Sequence, residues 1–177
     1  PKRISGRYVA IHRPNPSTHF TPPEMWLAYS DDLIHWGKHE QFLGAIAGNP
    51  EHIEDNHKLW RMGRIGGGCP PIETPQGWLE IYHGNSKQPG SARDDVGVYS
   101  AGAVLLDHAN PRKILKQTTQ PIMVPEADFE TEGFVKNVVF PTGVVERDET
   151  LIVYYGAADA VTAVVEWSRK ELMDRLE

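Results

Sequence analysis

Short runs of alternating apolar and polar residues recur along the chain and predict β-strands. The clearest runs are residues 7–12, 78–83 and 151–155, which are rich in Val, Ile, Leu and Tyr. A turn signal precedes each run, and the three can be superposed at separations of roughly 70 residues. Glycines and prolines are spread between the runs and are not gathered into one linker. The pattern therefore predicts an all-β protein built from a long repeat.

The repeat extends on both sides of these strands. Proline-led segments at 70–74 and 141–145 precede the second and third runs, and apolar runs of small residues follow all three runs, at 25–30, 100–106 and 161–165. A unit of about four antiparallel strands is the blade of a β-propeller, which closes a ring of typically 4–8 blades. Residues 1–177 supply about three. The alternative is a single β-sandwich with strands that look alike.

Two further features complete the predicted architecture. We expect residues 1–177 to be the C-terminal part of a single β-propeller domain, with the N-terminal blades absent from this chain. One short C-terminal helix is expected over 168–176, because Ser168 is a good N-cap residue and Glu171 occupies the capping-box position.

Composition excludes several classes of function. The net charge is −6, with 18 basic and 24 acidic residues, which argues against a nucleic-acid partner. No stretch approaches the roughly 18 apolar residues of a membrane span, so no membrane partner is expected. Cys69 is the single cysteine, so there is no intramolecular disulfide, and a cytoplasmic location is favoured. The spacing of the eight histidines does not indicate a metal site, and no cofactor is expected.

Residues 61–72 are the densest candidate for chemistry. Gly66, Gly67 and Gly68 follow Arg64, and glycines allow positive φ and close approach of a ligand to the backbone. The guanidinium offers a planar fork for phosphate or carboxylate. The segment fits either an anion site or a glycine-rich turn that enters an inner strand. Arg13, followed by Pro14 at a strand exit, is a second basic candidate, although a lone arginine is usually a solvated charge.

Aromatic residues near strand ends and carboxylates just past strands fit a carbohydrate site, although most such aromatics pack in the core of a β-protein. Asp159 follows the small residues of 156–158, which would open space at a rim. Asp107 is instead expected in an ordinary turn.

Six ordered segments resemble motifs of glycoside hydrolase family 130 and together cover essentially the whole chain: 6–14, 26–36, 66–72, 77–84, 137–143 and 154–159. The resemblance implies a partial five-bladed β-propeller. It also implies an inverting β-mannoside phosphorylase that transfers a mannosyl group from a mannose-containing oligosaccharide to inorganic phosphate as co-substrate. The alternatives are a β-1,2-mannosidase or a non-catalytic sugar- or anion-binding remnant.

The resemblance also implies roles for individual residues. Arg13 and Arg64 fall at phosphate-binding positions. The sugar-contacting positions are His19, Tyr99, Phe140 and Asp159. The general-acid aspartate of the family is expected upstream of residue 1, so no catalytic residue is assigned within the chain. An open propeller exposes blade faces, and we therefore expect self-association or pairing with the missing blades.

Overall fold

The computed structural model describes residues 2–14, 24–44, 60–87, 92 and 95–177, and these residues form three antiparallel sheets. The first sheet has the order β1-β2-β3, with β1 Tyr8–His12, β2 Met25–Ser30 and β3 Gly37–Leu43. The second has the order β4-β6-β7-β8, with β5 also paired to β6; its strands are β4 Arg64–Gly67, β5 Ile72–Thr74, β6 Gly77–Asn85, β7 Tyr99–Leu106 and β8 Ile114–Gln117. The third has the order β9-β10-β11, with β9 Val139–Arg147, β10 Thr150–Ala157 and β11 Val161–Ser168.

The predicted repeat is visible in the strand order. Strands β1 and β6 each lead into two further antiparallel strands, and β10 leads into β11. The proline-led segments form β5 and β9, which pair with β6 and β10. In the second sheet the innermost position is divided between β4 and β5. The prediction of an all-β, partial propeller of about three blades is confirmed, and the single-sandwich alternative is wrong.

The second sheet is covered on both faces, which holds the three sheets together. Side chains alternate along β6, so Ile81 joins a core cluster with Leu151 and Val153 of the third sheet, whereas Tyr82 joins one with Met25 of the first. Both clusters exclude water almost completely, since Tyr82 and Val153 are fully buried. This arrangement brings the ends of β1, β4, β6 and β9 close together.

Two short helices flank the sheets. The predicted C-terminal helix is present as α2, Arg169–Asp174, and the Ser168 hydroxyl accepts a hydrogen bond from the Glu171 amide at 3.3 Å. The other helix, α1, Asp128–Thr131, was not predicted from the sequence. There the Glu130 carboxylate accepts hydrogen bonds from the Glu126 and Ala127 amides and from the Tyr155 hydroxyl. This helix is too short to show a periodic pattern in the sequence. It is stabilised by its contacts with β10.

Candidate active site

Arg13 and His83 meet although they are 70 positions apart in the chain. Arg13 directly follows β1, and its Nη1 donates a hydrogen bond to His83 Nε2 on β6 at 3.1 Å. An arginine can only donate, so Nε2 of His83 is unprotonated and the neutral ring carries its proton on Nδ1. The hydrogen bond therefore joins the first sheet to the second and fixes the direction of the guanidinium.

Glycine in β4 makes this meeting possible. Gly66 pairs with His83, and a Cβ at Gly66 would lie 2.7 Å from His83 Cε1 and 3.0 Å from Arg13 Nη1. Positive φ, one of the two uses that the sequence suggested for these glycines, is absent here, because Arg64–Gly67 is a strand and positive φ among the described glycines occurs only at Gly6, Gly77 and Gly97. The glycines therefore serve close approach and not unusual backbone angles.

Arg64 adds a second positive charge at the start of β4. Its side chain makes no hydrogen bond or ion pair within the described part of the chain, so its guanidinium is available to a ligand. Burial and the charge of Arg64 lower the pKa of Arg13. Burial, followed by the charges of Arg13 and Arg64, lowers the pKa of His83 to about 3. The two arginines thus repel each other and hold the histidine neutral.

Aromatic rings border the two arginines. Phe140, on β9, stacks on the His83 ring with centroids 4.0 Å apart. The Tyr99 ring, at the start of β7, lies 6.0 Å from His83 and 6.1 Å from Phe140. Three aromatic planes beside a pair of guanidinium groups suit a ligand that has both an apolar ring face and an anionic group.

Arg13, His83 and Phe140 line an open cleft of about 600 Å³, here named the arginine cleft, together with Gly66 to Gly68, Glu80 and Thr142. Arg64 and Tyr99 are not among its lining residues. Within the described residues, no carboxylate forms an ion pair with Arg13 or Arg64. Two adjacent cations without a counter-charge favour an anion, because each guanidinium offers directed donors. A dianionic phosphate would satisfy both.

The predicted site residues divide into three groups. Arg13, Arg64, Tyr99 and Phe140 come together around His83. Asp159 does not line the arginine cleft: it lies exposed in the tight turn between β10 and β11 with φ of 50°. This turn extends from the same end of the third sheet as Phe140, since Phe140 pairs with Gly156. His19 lies outside the described residues.

Two residues of the site were not predicted from the sequence. His83 and Glu80 lie in a predicted strand and were given no functional role, yet both line the arginine cleft. Polar residues in a strand that is otherwise buried could have marked both, because β6 is buried at eight of its nine positions. Among the described residues, no group of three or more His, Cys, Asp or Glu side chains is placed to hold a metal ion.

The fold and the cleft define a class of protein, a β-propeller with a cationic, aromatic-bordered cleft at the ends of its inner strands. The chain belongs to glycoside hydrolase family 130, since the family model described as beta-1,4-mannooligosaccharide phosphorylase matches residues 1–177. It is 39% identical over 172 residues to a 1,2-beta-oligomannan phosphorylase of Thermoanaerobacter sp. (strain X514), covering 97% of this chain and 50% of that protein. It is 37% identical over 177 residues to a beta-1,2-mannobiose phosphorylase of Listeria innocua, covering 100% of this chain and 44% of that protein.

Solved structures agree with this assignment. The structure of beta-1,2-mannobiose phosphorylase from Listeria innocua in complex with beta-1,2-mannobiose superposes with a TM-score of 0.83 at 36% identity, covering 99% of this chain and 44% of that chain. The family structures are five-bladed propellers, and this chain corresponds to a part of such a propeller. The chain spans about half the length of the curated relatives it matches. Within the described residues, no helix has the length and apolar character needed to cross a membrane.

Proposed function

We propose that this chain supplies the phosphate side of the active site of an inverting β-mannoside phosphorylase. Arg13 and Arg64 bind inorganic phosphate, and Tyr99 and Phe140 contact the mannosyl group, together with His19 and Asp159. The observation that carries the proposal is the pair of cationic side chains that converge on His83 without a carboxylate partner in the described part of the chain.

The arrangement suits phosphorolysis because the nucleophile is already ionised. A phosphate oxygen attacks the anomeric carbon from the face opposite the leaving group, the C1–O glycosidic bond breaks, and a carboxylic acid delivers its proton to the departing oxygen. The product is α-mannose 1-phosphate. We assign the acid to a part of the protein outside residues 1–177. No carboxylate base is required, and phosphate is the only co-substrate in the proposal.

The linkage we propose is β-1,2. Identity is 39% and 37% with the two relatives named for β-1,2-linked substrates, against 30% over 176 residues with a beta-1,4-mannooligosaccharide phosphorylase of Ruminococcus albus. We also propose a cytoplasmic location, in keeping with one buried cysteine, Cys69, that forms no disulfide.

The test uses the protein at its natural length, incubated with β-1,2-mannobiose in the presence and absence of phosphate. We expect α-mannose 1-phosphate and mannose with phosphate, and no cleavage without it. Equal release of mannose under both conditions would identify a β-1,2-mannosidase instead. Binding of sugar or phosphate without cleavage would identify a non-catalytic remnant. β-1,4-Mannobiose in parallel tests the linkage.

Substitution of Arg64 tests the phosphate assignment directly. Arg64→Ala removes the charge and both directed donors, whereas Arg64→Lys keeps the charge and loses the planar fork. A charge-assisted hydrogen bond contributes about 1.5–3 kcal/mol, so the alanine variant should lose at least about tenfold in kcat/KM for phosphate. The lysine variant should fall between it and wild type. Unchanged phosphate dependence in Arg64→Ala, or a protein that unfolds, would make Arg64 structural.

A further inference from the structure

Glu80 is a carboxylic acid buried in the middle of β6, and the mechanism proposed above does not use it. Its side chain is on the same face of β6 as Tyr82, and its exposure is 1%. The innermost strand is interrupted opposite this position, because Gly67 pairs with Tyr82, Ile72 pairs with Leu79, and residues 68–71 are unpaired between them. The interruption and Glu80 both line the arginine cleft.

The interruption leaves the carboxyl group without a partner. Both Glu80 oxygens are buried and accept no well-aligned hydrogen bond within the described part of the chain, since the neighbouring Gly68 amide donates to the Ile81 carbonyl instead. Pro70 and Pro71 have no N–H, and the amides of Gly68 and Cys69 both donate to the carbonyl of Ile81, at 3.1 and 3.2 Å. A Cβ on Gly67 would lie 3.1 Å from Glu80 Oε1, so glycine keeps a side chain from packing against the carboxyl on this side.

An unpaired carboxyl in this position carries its proton. Burial raises the pKa of Glu80 well above its ordinary value of 4.5 and outweighs the Gly68 amide, which lowers it. A protonated carboxyl has one donor, its O–H, and one free acceptor, its C=O. Leaving both unsatisfied in a buried site costs free energy, which a ligand with matching groups would recover. The missing partner is therefore a group that accepts and donates one hydrogen bond each.

We infer that Glu80 recognises the P–O–H group of phosphate bound in the arginine cleft, and so selects phosphate over sulfate. The O–H of Glu80 donates to one phosphate oxygen, and its C=O accepts from the phosphate hydroxyl. Sulfate has the same shape and charge but no proton at neutral pH, so it leaves the C=O facing an anionic oxygen. The inference rests on the proposed function, because Arg13 and Arg64 must first bring the anion into the cleft.

The test is titration calorimetry of the natural-length protein with sodium phosphate and, separately, sodium sulfate at equal ionic strength. We expect wild type to bind phosphate at least about tenfold more tightly than sulfate, which corresponds to one hydrogen bond to a charged group. Glu80→Met, of similar volume but without polar atoms, should lose that preference while its affinity for sulfate stays within about twofold. Glu80→Gln keeps one acceptor and one donor and should retain the preference.

Three outcomes are distinct. Loss of selectivity in Glu80→Met with retention in Glu80→Gln supports the inference. Unchanged selectivity in Glu80→Met overturns it and leaves the proposed function intact. Failure of wild type to bind phosphate overturns both. If Glu80→Met does not fold, infrared difference spectra of wild type decide: the band of the protonated carboxyl, assigned by its absence in Glu80→Gln, must shift with phosphate and not with sulfate.

Discussion

His83 couples the chemistry of the site to the stability of the fold. The ring is 2% exposed, its Nε2 accepts the hydrogen bond from Arg13, and its buried Nδ1 has no partner within the described residues. Protonation would place a third positive charge beside Arg13 and Arg64 and would remove the acceptor that orients Arg13. The neutral ring is therefore a requirement of the cationic site, and the pKa of about 3 expresses that requirement.

This requirement predicts a loss of stability in acid. The pKa of His83 is about 3 in the folded chain against an ordinary value of 6.5, so the unfolded state binds more protons between these values. Stability should fall as the pH drops below 6.5, by up to about 1.4 kcal/mol per pH unit from this residue. His83→Gln keeps an acceptor for Arg13 and does not titrate, and its free energy of unfolding should fall less steeply. Urea unfolding from pH 7 to 4.5 measures both slopes, and equal slopes would contradict the prediction.

Glu80 acts in the opposite direction. Burial raises its pKa above 4.5, so the folded state holds a proton that the unfolded state releases above that pH. Its contribution is fully present below pH 4.5 and is lost as the pH rises through its folded pKa. Above pH 4.5 the Glu80 contribution therefore falls as the pH rises, whereas the His83 contribution rises up to pH 6.5. Because the two slopes have opposite signs, the difference between wild type and His83→Gln identifies the contribution of His83.

At the scale of the element, the inner strand β4 is defined by its lack of side chains beside β6. Gly66 and Gly67 of β4, and Gly68 directly after it, face groups at close range, with sites for Cβ atoms 2.7 Å from the His83 ring, 3.1 Å from Glu80 Oε1 and 2.7 Å from the Ile81 carbonyl. The strand keeps its ladder with β6 but leaves space for side chains that arrive from β1 and β6. The site therefore lies where glycines in one strand leave room for side chains from its neighbours.

Gly66→Ala tests this account. The new methyl group would press on the buried His83 ring and on Nη1 of Arg13, whose exposed side chain can move. We expect the variant to fold and to lose at least about tenfold in affinity for phosphate, because the Arg13 donor leaves its position. Gly143→Ala is the matched control, since Gly143 also lies in a strand and nothing lies within 4 Å of its Cβ position. Equal phosphate affinity in the two variants would show that Arg13 is not held by this contact.

The strands could be predicted from sequence because each carries its own alternation and turn signals. Residues 78–83 and 151–155 lie in β6 and β10, and Ser168 caps α2 as its side chain predicts. The contact between Arg13 and His83 could not be predicted from sequence, because a hydrogen bond across 70 positions depends on how separate sheets pack. The sequence suggested that a ligand approaches the glycines near Arg64, and the structure places the His83 ring and the Glu80 carboxyl beside them. Local sequence shows that a backbone is free of side chains, but not which neighbour requires the space.

At the scale of the whole molecule, the third sheet presents two unlike faces. Leu151 and Val153 of β10 are buried against the second sheet. On the opposite face, Tyr154 and its cross-strand partner Val164 are 44% and 53% exposed, and Val145 beside them is 51% exposed. The outer edge of β11 has no strand partner among the described residues. An apolar face beside an unpaired edge is a surface on which another sheet can pack.

This surface predicts that the 177-residue chain self-associates, and Val164→Lys tests where. The lysine places a charge at the centre of the exposed face, so burial of that face becomes unfavourable, while the folded subunit should change in stability by no more than about 0.5 kcal/mol. Val161→Lys is the control, because Val161 is 48% exposed on the same strand but at a position of opposite side-chain alternation. Sedimentation velocity across a range of concentrations should show association in wild type and in Val161→Lys, and a shift toward the monomer in Val164→Lys. A wild-type chain that stays monomeric at every concentration would mean that this face is stable in water, and association of Val164→Lys equal to wild type would place the contact on another surface.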